Sequence, residues 1–312
     1  MKKYLYTLFL SAAASSVAHA QLLNYGLMPA VRPLAVNPAA TGQIAGDVRV
    51  AASASTWRPA ELRMVTPAIS CDMPLLRNVL PKGNQLGLGI VHEETYDKYV
   101  NGRSSSTGLS LAYSRAIGRH QHIAAGMQGV FHSYDMDAPS VIVAKGDAIG
   151  YHAGVLYDVQ TGAVRFHIGY ATQWSRIIRA QPAIDEEVTS TLYHTLTAGI
   201  TAVPVRGLML HVMGMYNRRE TAENFRLGGY GRLLLNGRTR QREKALYVGC
   251  YKGVSVWQYV APYVGFEIAG LRPGISWVLP RENNNPRWLE ASLIYNFSFR
   301  KHGVKRGYMP LY

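Results

Sequence analysis

The stretch Leu289-Glu290-Ala291-Ser292-Leu293-Ile294-Tyr295-Asn296-Phe297-Ser298-Phe299 decides how the rest of the chain is read. At alternate positions Leu289, Ala291, Leu293, Tyr295, Phe297 and Phe299 share one side, and Glu290, Ser292, Ile294, Asn296 and Ser298 the other. A pleated strand repeats its side chains every second residue, so one face meets an apolar medium and the other a polar one. The aromatic end of the apolar face suits a strand passing from hydrocarbon to lipid headgroups. A half-buried strand in a soluble sandwich alternates in the same way, and the remainder of the chain has to separate the two.

Met1-Lys2-Lys3 is a cationic start, Tyr4–Ala14 a short apolar run and Ala18-His19-Ala20 a cleavage signal, so residues 1–20 read as a signal peptide. No cysteine follows the cut, which excludes a lipoprotein, and no window approaches the roughly 18 consecutive apolar residues of a spanning helix. The composition is 48% hydrophobic with 30 glycines and 20 tyrosines. Tyrosine has an apolar body and a wet tip, which fits interfaces better than interiors. A net charge of +14 on an exported chain points to anionic lipid or an acidic partner and away from nucleic acid. Cys71 and Cys250 are too distant in sequence to imply a disulfide framework and read as small hydrophobes.

In the N-terminal segment 21–46, Pro29, Pro33 and Pro38 block both a long helix and a central strand. Within it Asn37-Pro38-Ala39-Ala40-Thr41-Gly42 has the residues of a compact turn. From Asp47 onward alternating segments follow one another, each about as long as the 9–11 residues a tilted strand needs to cross hydrocarbon. The contrast is sharpest where Val164, Phe166, Ile168 and Tyr170 oppose Arg165, His167 and Gly169. Segments at Val48–Ser55, Val65–Met73, Leu192–Val203, Leu208–Asn217, Phe225–Leu235, Ala245–Lys252, Ala261–Ile268 and Leu271–Val278 belong to the same series. The total is about fourteen, an even number as a single-chain outer-membrane barrel requires. The expected fold is therefore all-β, a transmembrane antiparallel barrel over residues 47–299 with a basic tail at 300–312. Mostly short and mostly longer connections alternate along it, as expected of periplasmic turns and outward loops, with Pro74–Asn84 the exception as a longer stretch on the inner side.

Basic residues cluster on the short-turn side: Arg119 and His120, Arg206, then Arg238, Arg240, Arg242 and Lys244, and after the last strand Arg300, Lys301, Lys305 and Arg306. They read either as solvated strand ends or as a docking face for an acidic periplasmic partner, with Arg238, Arg240, Arg242 and Lys244 the candidate set. No constellation for catalysis is present: there is no nucleophile elbow, no zinc-protease helix, no phosphate loop and no paired-cysteine metal motif. Glu93 and Glu94 are neighbours, and on a strand they point to opposite faces. The expectation is a protein without enzymatic activity, metal or cofactor.

Several short strings resemble the PorP/SprF family of type IX secretion. Asn37-Pro38-Ala39-Ala40-Thr41-Gly42 resembles the family's Asn-Pro-Ala-x-x-Gly hallmark, and Gln85-Leu86-Gly87-Leu88-Gly89 its Leu-Gly-Leu segment. Trp57 with Arg58, and then Pro67, stand where that family has an Arg-x-x-Trp-like loop and a proline-bearing strand. Gly228-Gly229-Tyr230-Gly231-Arg232 resembles its late Gly-x-x-x-Arg strand, and Glu290, Ser292, Leu293 and Tyr295 its closing Glu-x-Ser-Leu-x-Tyr strand. The family's Ser-Tyr-Asp is replaced by Ser276-Trp277-Val278. The resemblance implies a barrel of the fatty-acid-transporter type in the outer membrane that works with the secretion and gliding-motility machinery. Its implied partners are outer-membrane lipid, exported cargo proteins and periplasmic secretion ring components. It also makes Asn37, Pro38, Ala39 and Gly42 a candidate plug or docking element. The alternative expectation is an outer-membrane channel for small hydrophobic or polar solutes.

Overall fold

The computed structural model describes residues 31–299 apart from 45, 59–62, 77–79, 82–83, 99–100, 138–142, 182–189, 220–221, 237–243, 255–257 and 280–286. Fourteen antiparallel strands close on themselves, each paired with its chain neighbours and the last with the first. They are β1 (Val48–Arg58), β2 (Met64–Leu75), β3 (Gln85–Asp97), β4 (Gly102–Ala116), β5 (Gln121–Asp137), β6 (Val143–Thr161) and β7 (Val164–Gln181). Then come β8 (Ser190–Val205), β9 (Leu208–Arg219), β10 (Ala222–Asn236), β11 (Lys244–Val254), β12 (Gln258–Ile268), β13 (Leu271–Trp277) and β14 (Arg287–Phe297). The stretch that opened the reading is β14, shifted so that Phe299 lies beyond its end. Before β1, a short helix α1 (Pro33–Val36) and a 3-10 turn (Pro38–Ala40) lie inside the barrel.

The two faces of each strand meet different surroundings. On β7, Phe166, Ile168 and Tyr170 are 48%, 50% and 43% exposed, whereas Arg165 and His167 are buried in the lumen. The same division holds on β5, where Ile123, Met127 and Phe131 face out and Gln128 faces in, and on β14, where Leu289 and Leu293 face out and Glu290 faces in. Ile294, the apolar residue on the polar side of β14, is buried in the lumen beside Ala51 and Val31. A sandwich would bury the Phe166 face against a second sheet, and here that face is the outer surface of a closed cylinder. Ile168→Arg is therefore expected to cost about 2–4 kcal/mol, the penalty for a cation near the middle of a lipid-facing strand. Urea unfolding in lipid vesicles measures it.

Several strands exceed the 9–11 residues expected from hydrocarbon thickness. β5 to β8 run 17, 19, 18 and 16 residues, against 11, 11, 7 and 11 for β11 to β14. At about 2.5 Å of height per residue for a strand tilted near 40°, the apolar band of roughly 25 Å takes ten residues, and the surplus rises past it. That surplus carries polar residues, including the Lys145–Asp135 ion pair. Cys71 and Cys250 are free, on β2 and β11. Pro67 lacks a ladder donor, and the β2–β3 register passes from Val65↔Tyr96 to Ala68↔Glu93 without pairing it.

Candidate functional site

The lumen is occupied by the N-terminal segment, and its seat is built from the sequence Arg32 to Gly42. Pro33 opens α1, where its missing N–H and fixed φ fit the first helical turn. Asn37 then ends it in extended backbone at φ −154° and caps the next turn, its Oδ1 accepting from the Ala39 amide at 2.9 Å. The other half of the same carboxamide reads the barrel wall: Asn37 Nδ2 donates to the carbonyls of Val155 on β6 and Tyr170 on β7, at 3.1 and 3.4 Å. Thr41 bonds back to the Pro38 carbonyl at 2.7 Å and across to Ser110 of β4 at 2.6 Å. Gly42 takes φ +72°, the left-handed region glycine tolerates, and so turns the chain toward the entrance of β1.

Charged groups hold both ends. The Gly42 amide donates to Asp72 Oδ2 at 2.7 Å, while Arg49 grips both oxygens of Asp72 at 2.8 and 2.9 Å. Further up, Arg32 donates to Glu93 at 2.7 Å and to Ser53 at 2.9 Å. Arg32, Arg49, Asp72 and Glu93 are all buried, so each charge needs its partner. Glu94, next to Glu93, faces out and bonds Arg103, as strand alternation requires.

Glycines on the wall let the segment approach. A Cβ on Gly126 would stand 2.5 Å from the Pro38 carbonyl carbon and 2.6 Å from the Ala39 nitrogen. One on Gly87 would stand 2.6 Å from the Thr41 carbonyl carbon, one on Gly89 2.6 Å from Leu34, and one on Gly154 would strike the Asn37 amide oxygen. The apolar residues of the segment fill the remaining space: Ala39 against Ala124 and Leu156, Val36 against Met215, and Val31 in a cluster with Tyr230, Tyr247, Tyr251, Tyr263 and Trp288. Elsewhere in the lumen Asp158 pairs with Arg165 at 3.0 Å, and Arg232 with Glu267 at 3.3 Å. His167 and His211 stack with centroids 5.8 Å apart. Among the described residues no group of His, Cys, Asp and Glu could hold a metal ion.

Asn37→Asp tests the seat, because a carboxylate cannot donate and would face the Val155 and Tyr170 carbonyls. The segment is expected to loosen by about 1–3 kcal/mol, the cost of leaving buried acceptors unmet. Faster hydrogen exchange at the Ala39 amide would report it.

The structure thus brings Asn37, Pro38, Ala39 and Gly42 together inside the barrel, and places Glu290 and Ser292 on the lumen side of β14 with Leu293 outside. Tyr295 packs edge-on against Phe297 at the other end of that strand, with centroids 4.0 Å apart. Lys244 is exposed at the start of β11; Arg238, Arg240 and Arg242 lie outside the described residues, as do the expected signal peptide at 1–20 and the basic tail at 300–312. Sequence reasoning missed Asp72 as an anchor, although a lone carboxylate between Cys71 and Met73 was a usable signal. It also missed the wall glycines, which a search for glycine at lumen-facing positions would have found.

No family model and no curated protein matches this chain. Among solved structures it is similar to the CymD monoaromatic hydrocarbon channel, with 11% identity over 87% of this chain and 94% of that one, at a TM-score of 0.58. It is similar also to a deltaS2 mutant of the TodX monoaromatic hydrocarbon channel, with 10% identity over 83% and 91% of the two chains and a TM-score of 0.53. At such identities the likeness is one of architecture, and the fold is that of an outer-membrane β-barrel.

Proposed function

We propose that the protein is an outer-membrane channel for small solutes, held shut at rest by its own N-terminal segment. The observation that carries this reading is the plug: about a dozen residues occupy the lumen and are seated largely by hydrogen bonds and one buried ion pair, Arg32–Glu93, that a rearrangement could exchange. The likeness of the barrel to hydrocarbon channels supports it at the level of architecture. Reconstituted protein should pass small aromatic or small polar solutes in a liposome uptake assay, at a rate that rises when the plug is weakened. Uptake equal to that of empty liposomes with both intact and weakened plugs would remove this reading.

A second reading, a component of type IX secretion, is favoured by one specific observation. The string that carries the family resemblance, Asn37–Gly42, is the segment built into the lumen, with its Asn, Thr and Gly each making contacts to the wall. In this reading the filled barrel is a rigid support whose outer rim engages exported cargo and whose inner, basic side meets periplasmic ring components. Crosslinking in native membranes followed by purification should then recover large exported proteins. Recovery of the barrel alone would argue for the channel.

A further inference from the structure

The register allows rows of outward-facing residues to be followed across the barrel. One such row near the outer end of the strands runs Trp277, Leu289, Thr56, Val65, Tyr96 through β13, β14, β1, β2 and β3. Trp277 and Tyr96 are exposed at its two ends. Thr56 stands about 20 Å above Val48 at 2.5 Å per residue, so this row lies near the upper edge of an apolar band of roughly 25 Å. Aromatic residues at that height mark the passage from hydrocarbon to headgroups.

Two residues further out on the same face the row becomes cationic. Arg58 is opposite Arg287 in the β1–β14 ladder. Trp57 pairs with Met64, which makes Arg63 the next position beside Arg58. The Lys98 amide donates to the Arg63 carbonyl at 3.0 Å, so Lys98 continues the row at the head of β3. Arg58, Arg63 and Lys98 are exposed, and none has an ion-pair partner among the described residues. Glu94, lower on the same face of β3, is already engaged by Arg103 and Tyr96. Asp97, the neighbour of Lys98, falls on the opposite face by alternation.

Arg58, Arg63 and Lys98 stand on three adjacent strands and span about 10 Å at the usual strand spacing. Like charges directly opposite one another repel, and such a row is stable where an anion with several charged groups lies against it. Hydrocarbon lies below this row, and the charges next to hydrocarbon in a bilayer are headgroup phosphates. We propose that Arg58, Arg63 and Lys98 form a shelf that binds the phosphates of an anionic lipid in the outer leaflet. The proposal rests on the outer-membrane reading given above.

The full-length barrel, reconstituted in phosphatidylcholine bilayers doped with diphosphorylated lipid A or with its dephosphorylated form, is extracted and its retained lipid counted by native mass spectrometry. The diphosphorylated form should be retained about tenfold more than the dephosphorylated one. Arg58→Gln, Arg63→Gln and Lys98→Gln together should abolish that preference, whereas Arg119→Gln with Arg206→Gln on the inner rim should leave it intact. Heat-modified gel mobility confirms that each variant is folded, and the single Arg58→Lys variant, which keeps the charge, should keep most of the binding. Equal retention of both lipids by the folded parent, or an unchanged preference in the triple variant, overturns the shelf alone. Loss of the lipid to added polyglutamate at low concentration overturns it in favour of an acidic protein partner. A chain that enters no bilayer overturns the shelf and the outer-membrane reading together.

Discussion

Gly126→Val is expected to open the barrel. The β-carbon alone would fall within 2.6 Å of the Ala39 nitrogen and closer still to the Pro38 carbonyl carbon, and both are backbone atoms of the plug that cannot rotate away. Valine adds two methyl groups to that clash, while its branched side chain is otherwise well suited to a strand. Overpacking of this kind costs about 1–3 kcal/mol where the surroundings can shift, and here the part free to shift is the inserted segment, since the wall is laddered on both sides. In planar bilayers the parent should be closed for most of a recording and the variant should conduct steadily. Gly129→Val is the matched control: it lies on the same strand, faces out, and a Cβ there meets nothing within 4 Å. If both variants stay as quiet as the parent, the segment is not what blocks passage.

Asp72→Asn should be the most destabilising single change in the lumen. Asp72 is 1% exposed and carries two partners, the Arg49 guanidinium and the Gly42 amide. The amide preserves shape but leaves Arg49, itself 3% exposed, as an uncompensated buried charge. Removing one member of a buried pair costs about 3–5 kcal/mol, and the anchor of the plug weakens with it. The exposed pair between Arg103 and Glu94 supplies the comparison, because the Arg103 side chain is 62% exposed. Arg103→Gln should therefore cost at most about 1 kcal/mol. Urea midpoints for the two variants, measured in the same vesicles, should differ widely; similar midpoints would mean that water reaches Asp72.

The barrel was legible because alternation is a local property. Phe166 and Arg165 are adjacent, and only a boundary between two media keeps such neighbours apart over strand after strand. The count of strands followed from the same pattern, whereas the turn lengths alternate only loosely: on the expected short-turn side nine residues join β2 to β3, and on the opposite side two join β9 to β10. Strand length was less legible, because residues such as Ser133 or Asp147, which continue the ladder past the apolar band, carry no apolar signal. The interior was the least legible part. Asn37–Gly42 could be recognised as a compact turn, but its contacts are with Asp72, Ser110, Val155 and Tyr170, whose nearness depends on closure of the cylinder. Charge on a lumen-facing position tells that a partner is needed, as for Arg165, and not which residue it will be. Arg49 and Asp72 lie on adjacent strands, yet the same spacing would have permitted several other pairings.

The plug precedes β1 in the chain, and the wall around it runs from β1 to β9 and, through the cluster that holds Val31, on to β10, β11, β12 and β14. Once β14 has zipped onto β1 along its whole length, the only ways in are the two mouths. Threading Arg32 and its companions through a finished mouth would strip them of water before they met Glu93 or Asp72. Wrapping of the sheet around the segment while still an open arc, with the β1–β14 seam closing last, would avoid that cost. In that order of assembly the plug would be the mandrel on which the wall is curled.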